Sequence, residues 1–167
     1  YGSLLQMVFH ALAKNALFLC AGAVICKTGC TRVKELRGMG KRMPAVMVCF
    51  ALSSLSLVGI PPAGGFLAKW HLAVGAMRAE DGVFAWLGPA VLMVSALLTA
   101  GYLFPVIVEA FFPGKDWRKT DQSEDGRLSV SAFMGVPLAV LGISLLVLGA
   151  LGNPVFELLR GIASDMV

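Results

Sequence analysis

Two groups of residues in this sequence have the type and spacing to handle ions. The first is the stretch GIPPAGGFLAKW, Gly59 to Trp70, where Gly59, Pro61, Pro62, Gly64 and Gly65 interrupt an apolar run and Lys69 follows at once. Proline removes a backbone donor and glycine loosens the chain, so no regular helix should run through it. In hydrocarbon, broken backbone survives only where protein or water satisfies the freed groups, and an ionisable residue beside it marks an ion or substrate pathway. The second group is Ser3, Gln6, His10 and Lys14. Their offsets place them in one stripe along a helix, with neighbours about 6 Å apart.

The chemistry these residues offer is proton transfer. A charged lysine at mid-membrane costs something like 2.5–3.5 kcal/mol on insertion scales, so Lys14 should face other helices or water rather than lipid. It is either a relay residue or one half of a static pair with a carboxylate on another helix. His10, one turn earlier, titrates near neutrality and favours the relay. Lys69 falls near the start of the helical run after the break, against the positive end of that helix's dipole. Gln6, His71 and Glu109 are accessory candidates. Glu109 falls near a membrane boundary, as a solvated carboxylate or as the partner of a lysine. Ser53, Ser54 and Ser56, just before the break, either pack or bond freed carbonyls.

The elements that must position these groups are long apolar runs. The chain has 167 residues, 57% hydrophobic and 14% charged, where a soluble domain carries roughly a quarter charged. An all-α integral membrane protein is expected, with a lipid bilayer as its surroundings and about five transmembrane segments. These run over residues 4–26, 43–60, 66–77, 83–112 and 130–151, and the third, after the Gly59–Gly65 break, is too short to cross alone. Pro105 should kink the fourth and Pro137 the last. Residues 113–128 read as a polar loop, and residues 129–167 as the last helix with a C-terminal tail. The start at Tyr1 reads as a piece of a longer chain.

Charge distribution sets topology and excludes other functions. Of the fourteen Lys and Arg residues, only Lys14 and Lys69 lie inside apolar runs. Six basic residues (Lys27, Arg32, Lys34, Arg37, Lys41 and Arg42) crowd a connector whose only acid is Glu35, which predicts the cytoplasmic side. The basic balance therefore does not point to nucleic acid. The four cysteines have no zinc or redox spacing and read as small apolar residues. GMGKR at residues 38–42 lacks the parts of a phosphate-binding loop, and no metalloprotease or serine-hydrolase motif is present. No cofactor, metal site or catalytic residue is expected.

Three stretches carry a family resemblance: HALAKNALFLCAGAVICKTG (His10 to Gly29), KRMP (Lys41 to Pro44) and SLSLVGIPPAGGFLAKW (Ser54 to Trp70). In this order and spacing they resemble the proton-conducting antiporter-like subunits. That family includes the D-type and A-type subunits of the Mrp cation/proton antiporters and the antiporter-like subunits of respiratory complex I and membrane-bound hydrogenases. The resemblance covers residues 1–112 well and the remainder only as generic apolar helix. It implies the C-terminal part of a fold of about fourteen helices built from inverted repeats with discontinuous helices. It also implies that Lys14 and Lys69 belong to a chain of buried lysines, histidines and water, with His10 bridging. The Pro–Pro break and GYLFPVIVEAFF (residues 101–112) lean toward the Mrp D type. Protons, Na+ and other subunits of a multisubunit complex in the bacterial inner membrane are the partners implied. The alternatives are a proton-pumping subunit of an NADH-quinone oxidoreductase or hydrogenase, and a purely structural subunit.

Overall fold

Each apolar run becomes a helix whose ends are set by glycine, proline or charge. The computed structural model describes residues 2–61, 63–79, 82–112, 128–150 and 161. Helix α1 (Gly2–Thr28) ends after Lys27, a cation placed favourably at the negative end of the dipole. The basic connector follows with a 3₁₀ turn (Val33–Leu36) and a short helix α2 (Met39–Arg42). Helix α3 (Pro44–Val58) starts on Pro44, where a missing amide costs little. Helices α4 (Gly64–Ala79), α5 (Phe84–Phe111) and α6 (Ala132–Ala150) complete the order. No strand occurs among the described residues.

Helices α1, α5 and α6 are long and apolar enough to cross a membrane. Helix α3 is shorter than residues 43–60 led us to expect. Its 15 residues span about 22 Å, because the chain leaves the helix at Gly59 with φ of 90°, a left-handed conformation that suits glycine. Helix α4 is longer than expected, 16 residues rather than a run starting at Phe66, yet at about 24 Å it still falls short of a bilayer core of about 30 Å. Helix α5 runs without interruption through Pro89 and Pro105, and α6 through Pro137. The polar loop expected at residues 113–128 and the tail beyond Ala150 lie largely outside the described residues, as does Pro62.

Helix α1 packs through Leu5, Phe9, Ala13, Ala16, Cys20 and Ala23, all 3% exposed or less. Their spacing follows the helical repeat, and the alanines let α3 approach closely. Around the break this face meets Leu57, Val58, Ala68, Leu103 and Leu145. Nearer the connector a second cluster gathers Cys20, Met39, Met43, Met47, Cys49 and Leu138. The outer face of α5 is bare: Val91, Met93, Val94, Leu97 and Leu98 are 57–69% exposed. In water such a patch would be a liability; in a bilayer it is the surface that lipid or a neighbouring subunit covers.

The connector is tied to the end of α5 and to the segment that precedes α6. Arg37 Nε and Nη2 donate to the Glu109 carboxylate at 2.9 and 3.4 Å, Gly38 N donates to Glu109 O, and Leu128 N donates to Arg42 O. Glu109 is thus held at the connector by an arginine, a partner that the sequence alone did not point to. The Arg37 side chain is 55% exposed and that of Glu109 28%. Exposed pairs contribute little, so Glu109→Gln is expected to cost at most about 1 kcal/mol. A thermal-unfolding shift of the purified assembly measures it.

Candidate functional site

The site is built from the two ends of the helix break. At the end of α3, the amides of Gly59 and Ile60 both donate to Leu55 O, at 2.9 and 3.0 Å. That closure satisfies one terminal carbonyl and leaves the later ones without backbone donors. Lys69 supplies the donors: its Nζ lies 2.9 Å from Leu57 O and 2.7 Å from Val58 O. The stem of Lys69 runs over Gly59, where an added Cβ would stand 2.9 Å from Lys69 Cδ and 3.4 Å from Nζ. Glycine at this position therefore serves the turn and the lysine together.

This geometry corrects the electrostatic expectation for Lys69. The residue belongs to the second turn of α4, but its side chain reaches back to the C-terminal, negative end of α3, where a cation is favoured. An ammonium has three donors. Two are engaged by the carbonyls, which leaves a third for water or a proton acceptor.

The start of α4 is locked by contacts that only glycine permits. A Cβ on Gly64 would lie 2.0 Å from the Phe9 ring, and one on Gly65 would lie 1.8 Å from Ser56 O. The Gly65 amide donates to Ser56 Oγ at 3.3 Å, so one hydroxyl of α3 satisfies an orphan amide of α4 across the break. Ser54 Oγ bonds Phe50 O of its own helix. Ser53 is fully buried and its Oγ has no partner among the described residues. The three serines thus differ in role, and only Ser56 bridges the two helices. Pro61 lies exposed in the turn.

Helix α1 lies alongside. Gly2 and Phe9 approach Leu72 and Gly64 respectively, so α1 and α4 run antiparallel past the break. The stripe that begins at Ser3 follows the buried face by one residue: Gln6 after Leu5, His10 after Phe9, Lys14 after Ala13. One residue is about 100° of rotation, which turns the stripe away from the packed face. Ser3, His10 and Lys14 are exposed on the described bundle, and Gln6 is part-buried with an Oε1 that has no partner among the described residues. His10 lies within electrostatic range of both Lys14 and Lys69. The charges of Lys14, one turn away on α1, and of Lys69 on α4 both act on His10. His71 is part-buried on α4, two positions on from Lys69 and so on a different face. Glu109 sits at the connector with Arg37, away from this group. Sequence reasoning did not single out Phe9 or the carbonyls of Leu57 and Val58; no side-chain pattern signals a backbone carbonyl.

Comparison with known proteins shows what the chain as a whole is similar to. The family described as NADH:quinone oxidoreductase/Mrp antiporter, TM, matches residues 1–108. NADH-quinone oxidoreductase subunit N of Desulforudis audaxviator is 40% identical over 164 residues, covering 94% of this chain and 32% of that protein. The D-type subunit of the Na(+)/H(+) antiporter of Alkalihalophilus pseudofirmus is 30% identical over 166 residues, covering 99% of this chain and 32% of that one. Among solved structures, a chain of the Mrp complex from Dietzia superposes with a TM-score of 0.79 at 26% identity, over 94% of this chain and 36% of that chain. The chain spans about a third of the length of these relatives. Relatives from both the antiporter and the redox branch align.

Proposed function

Because the chain belongs to the NADH:quinone oxidoreductase/Mrp antiporter family of membrane proteins, we propose that it forms part of a subunit that moves protons across a membrane in exchange for a monovalent cation such as Na+. The proton path runs through Lys69, His10 and Lys14. The observation that carries this reading is the Lys69 ammonium, bound to Leu57 O and Val58 O inside a helix break and within electrostatic range of His10. A cation held by two carbonyls with a donor left over can pass a proton without losing its place. The carbonyls and the turn at Gly59 line the route, as broken helices do in transporters.

The outward-facing stripe of α1 supports a path that continues beyond these helices. A lysine and a histidine at the middle of a membrane-spanning helix are too costly to leave against lipid. They face water or polar groups of another membrane segment, within a multisubunit complex of the bacterial inner membrane. A second reading, a proton-pumping subunit of an NADH-quinone oxidoreductase, is favoured by the 40% identity to a subunit of that enzyme. In that case electron transfer in a partner drives the same relay.

Lys14→Ala in the complete assembly tests the proposal, with proton movement followed by a pH-sensitive dye in sealed vesicles. We expect about a hundredfold loss of transport, the lower end of what a positioned acid or base contributes, with normal assembly on native gels. Wild-type transport would remove Lys14 from the path. Lost assembly with normal specific transport would assign it to a static pair.

A further inference from the structure

We propose that the cavity between the basic connector and the C-terminal half of α1 binds an anionic phospholipid, with an acyl segment inside and its phosphate at the connector cations. The cavity measures about 110 Å³ and is walled by Ala21 and Val24 of α1, Val33 and Leu36 of the 3₁₀ turn, and Met47 and Phe50 of α3. That is about a quarter less than the roughly 150 Å³ that admits benzene into an enclosed apolar cavity, and this cavity is open on one side, so part of an acyl chain can enter it. A buried water needs two to four polar partners, and apart from Cys30, Thr31 and Arg32 at the connector the lining is apolar. A chain segment fits them better.

Its mouth combines cations with apolar walls. Arg32 lines the cavity, Lys34 adjoins the lining residue Val33, and Lys27 occupies the last turn of α1. All three are exposed. Arg37 is committed to Glu109. The opposing charge is Glu35, whose carboxylate accepts the amides of Thr31 and Arg32 at 3.0 and 3.1 Å. Those backbone bonds hold its carboxyl below the usual range, so it stays negative. Three exposed cations against one carboxylate leave the connector beside the cavity net positive, with Arg32 at the cavity itself. An anionic lipid meets both the charge and the walls, whereas a zwitterionic lipid meets only the walls and a free anion only the charge.

Cys30 lines the same cavity and is part-buried, so its maleimide labelling reads occupancy. In the complete detergent-purified assembly, with the labelled peptide quantified by mass spectrometry, phosphatidylglycerol bicelles are expected to slow Cys30 labelling about tenfold relative to phosphatidylcholine bicelles. Inorganic phosphate should not slow it. Arg32→Ala with Lys34→Ala should abolish this tenfold difference, because roughly fivefold in affinity is lost per cation near a membrane surface, about 25-fold for the two. Ala21→Phe, which fills the cavity, should abolish retention of phosphatidylglycerol in native mass spectrometry. Equal protection by both lipids, protection by phosphate alone, or no protection because another protein segment fills the cavity would each overturn the proposal. None of these outcomes depends on whether the assembly transports protons.

Discussion

Gly65→Ala is expected to prevent assembly of the membrane subunit, the largest structural effect of any single methyl group at the break. The added carbon would stand 1.8 Å from Ser56 O. That atom is backbone and cannot swing aside as a side-chain terminus does. Relief requires separating α4 from α3, which also breaks the Gly65 N to Ser56 Oγ hydrogen bond and shifts Gly64 from its seat against Phe9. Overpacking a well-filled site costs about 1–3 kcal/mol or more, and losing a buried hydrogen bond adds about 1 kcal/mol. Set against the roughly 5–15 kcal/mol that stabilises a typical domain, this is a large fraction. The measurement is the yield of intact complex on native gels. Gly75→Ala is the control, since nothing lies within 4 Å of a carbon added there, and it should assemble at wild-type yield.

Lys69→Ala is expected to cost both stability and transport. It strips Leu57 O and Val58 O of the ammonium they share. Leaving a buried acceptor unsatisfied costs about 1–3 kcal/mol, and in the membrane no bulk water replaces the donor. Part of the loss returns if a water enters the space vacated by the side chain. Hydrogen exchange should then quicken at the amides of Gly59 and Ile60, which close the end of α3. Because the variant removes cap and relay together, lost transport in Lys69→Ala does not by itself identify a proton carrier.

The break was legible because glycine and proline act through the backbone, and their effect does not wait for tertiary contacts. Helix α1 and its polar stripe were legible for a similar reason, since helical periodicity fixes which residues share a face. Three features were hidden. The direction of Lys69 depends on side-chain reach: from the sequence it sits near the start of α4, yet its nitrogen ends on α3. The bridging hydroxyl of Ser56 could not be told from those of Ser53 and Ser54, because the choice is made by how α4 docks. The Arg37–Glu109 pair joins residues far apart in the chain, and only the fold brings them together. The outward turn of His10 and Lys14 has the same origin, for a stripe says which residues share a face and not what that face meets.

On the proposed path Lys69 works by giving up and regaining a proton, not only by capping α3. Lys69→Arg separates the two, because a guanidinium can donate to the same carbonyls but stays protonated at any physiological pH. In sealed vesicles containing the complete assembly at wild-type amount, proton transport by Lys69→Arg is expected to fall about 100-fold, within the range a positioned acid or base supplies, while thermal stability stays near wild type. Wild-type transport by Lys69→Arg would show that no proton needs to leave this residue, and Lys69 would then be only the cap that holds the broken helix together.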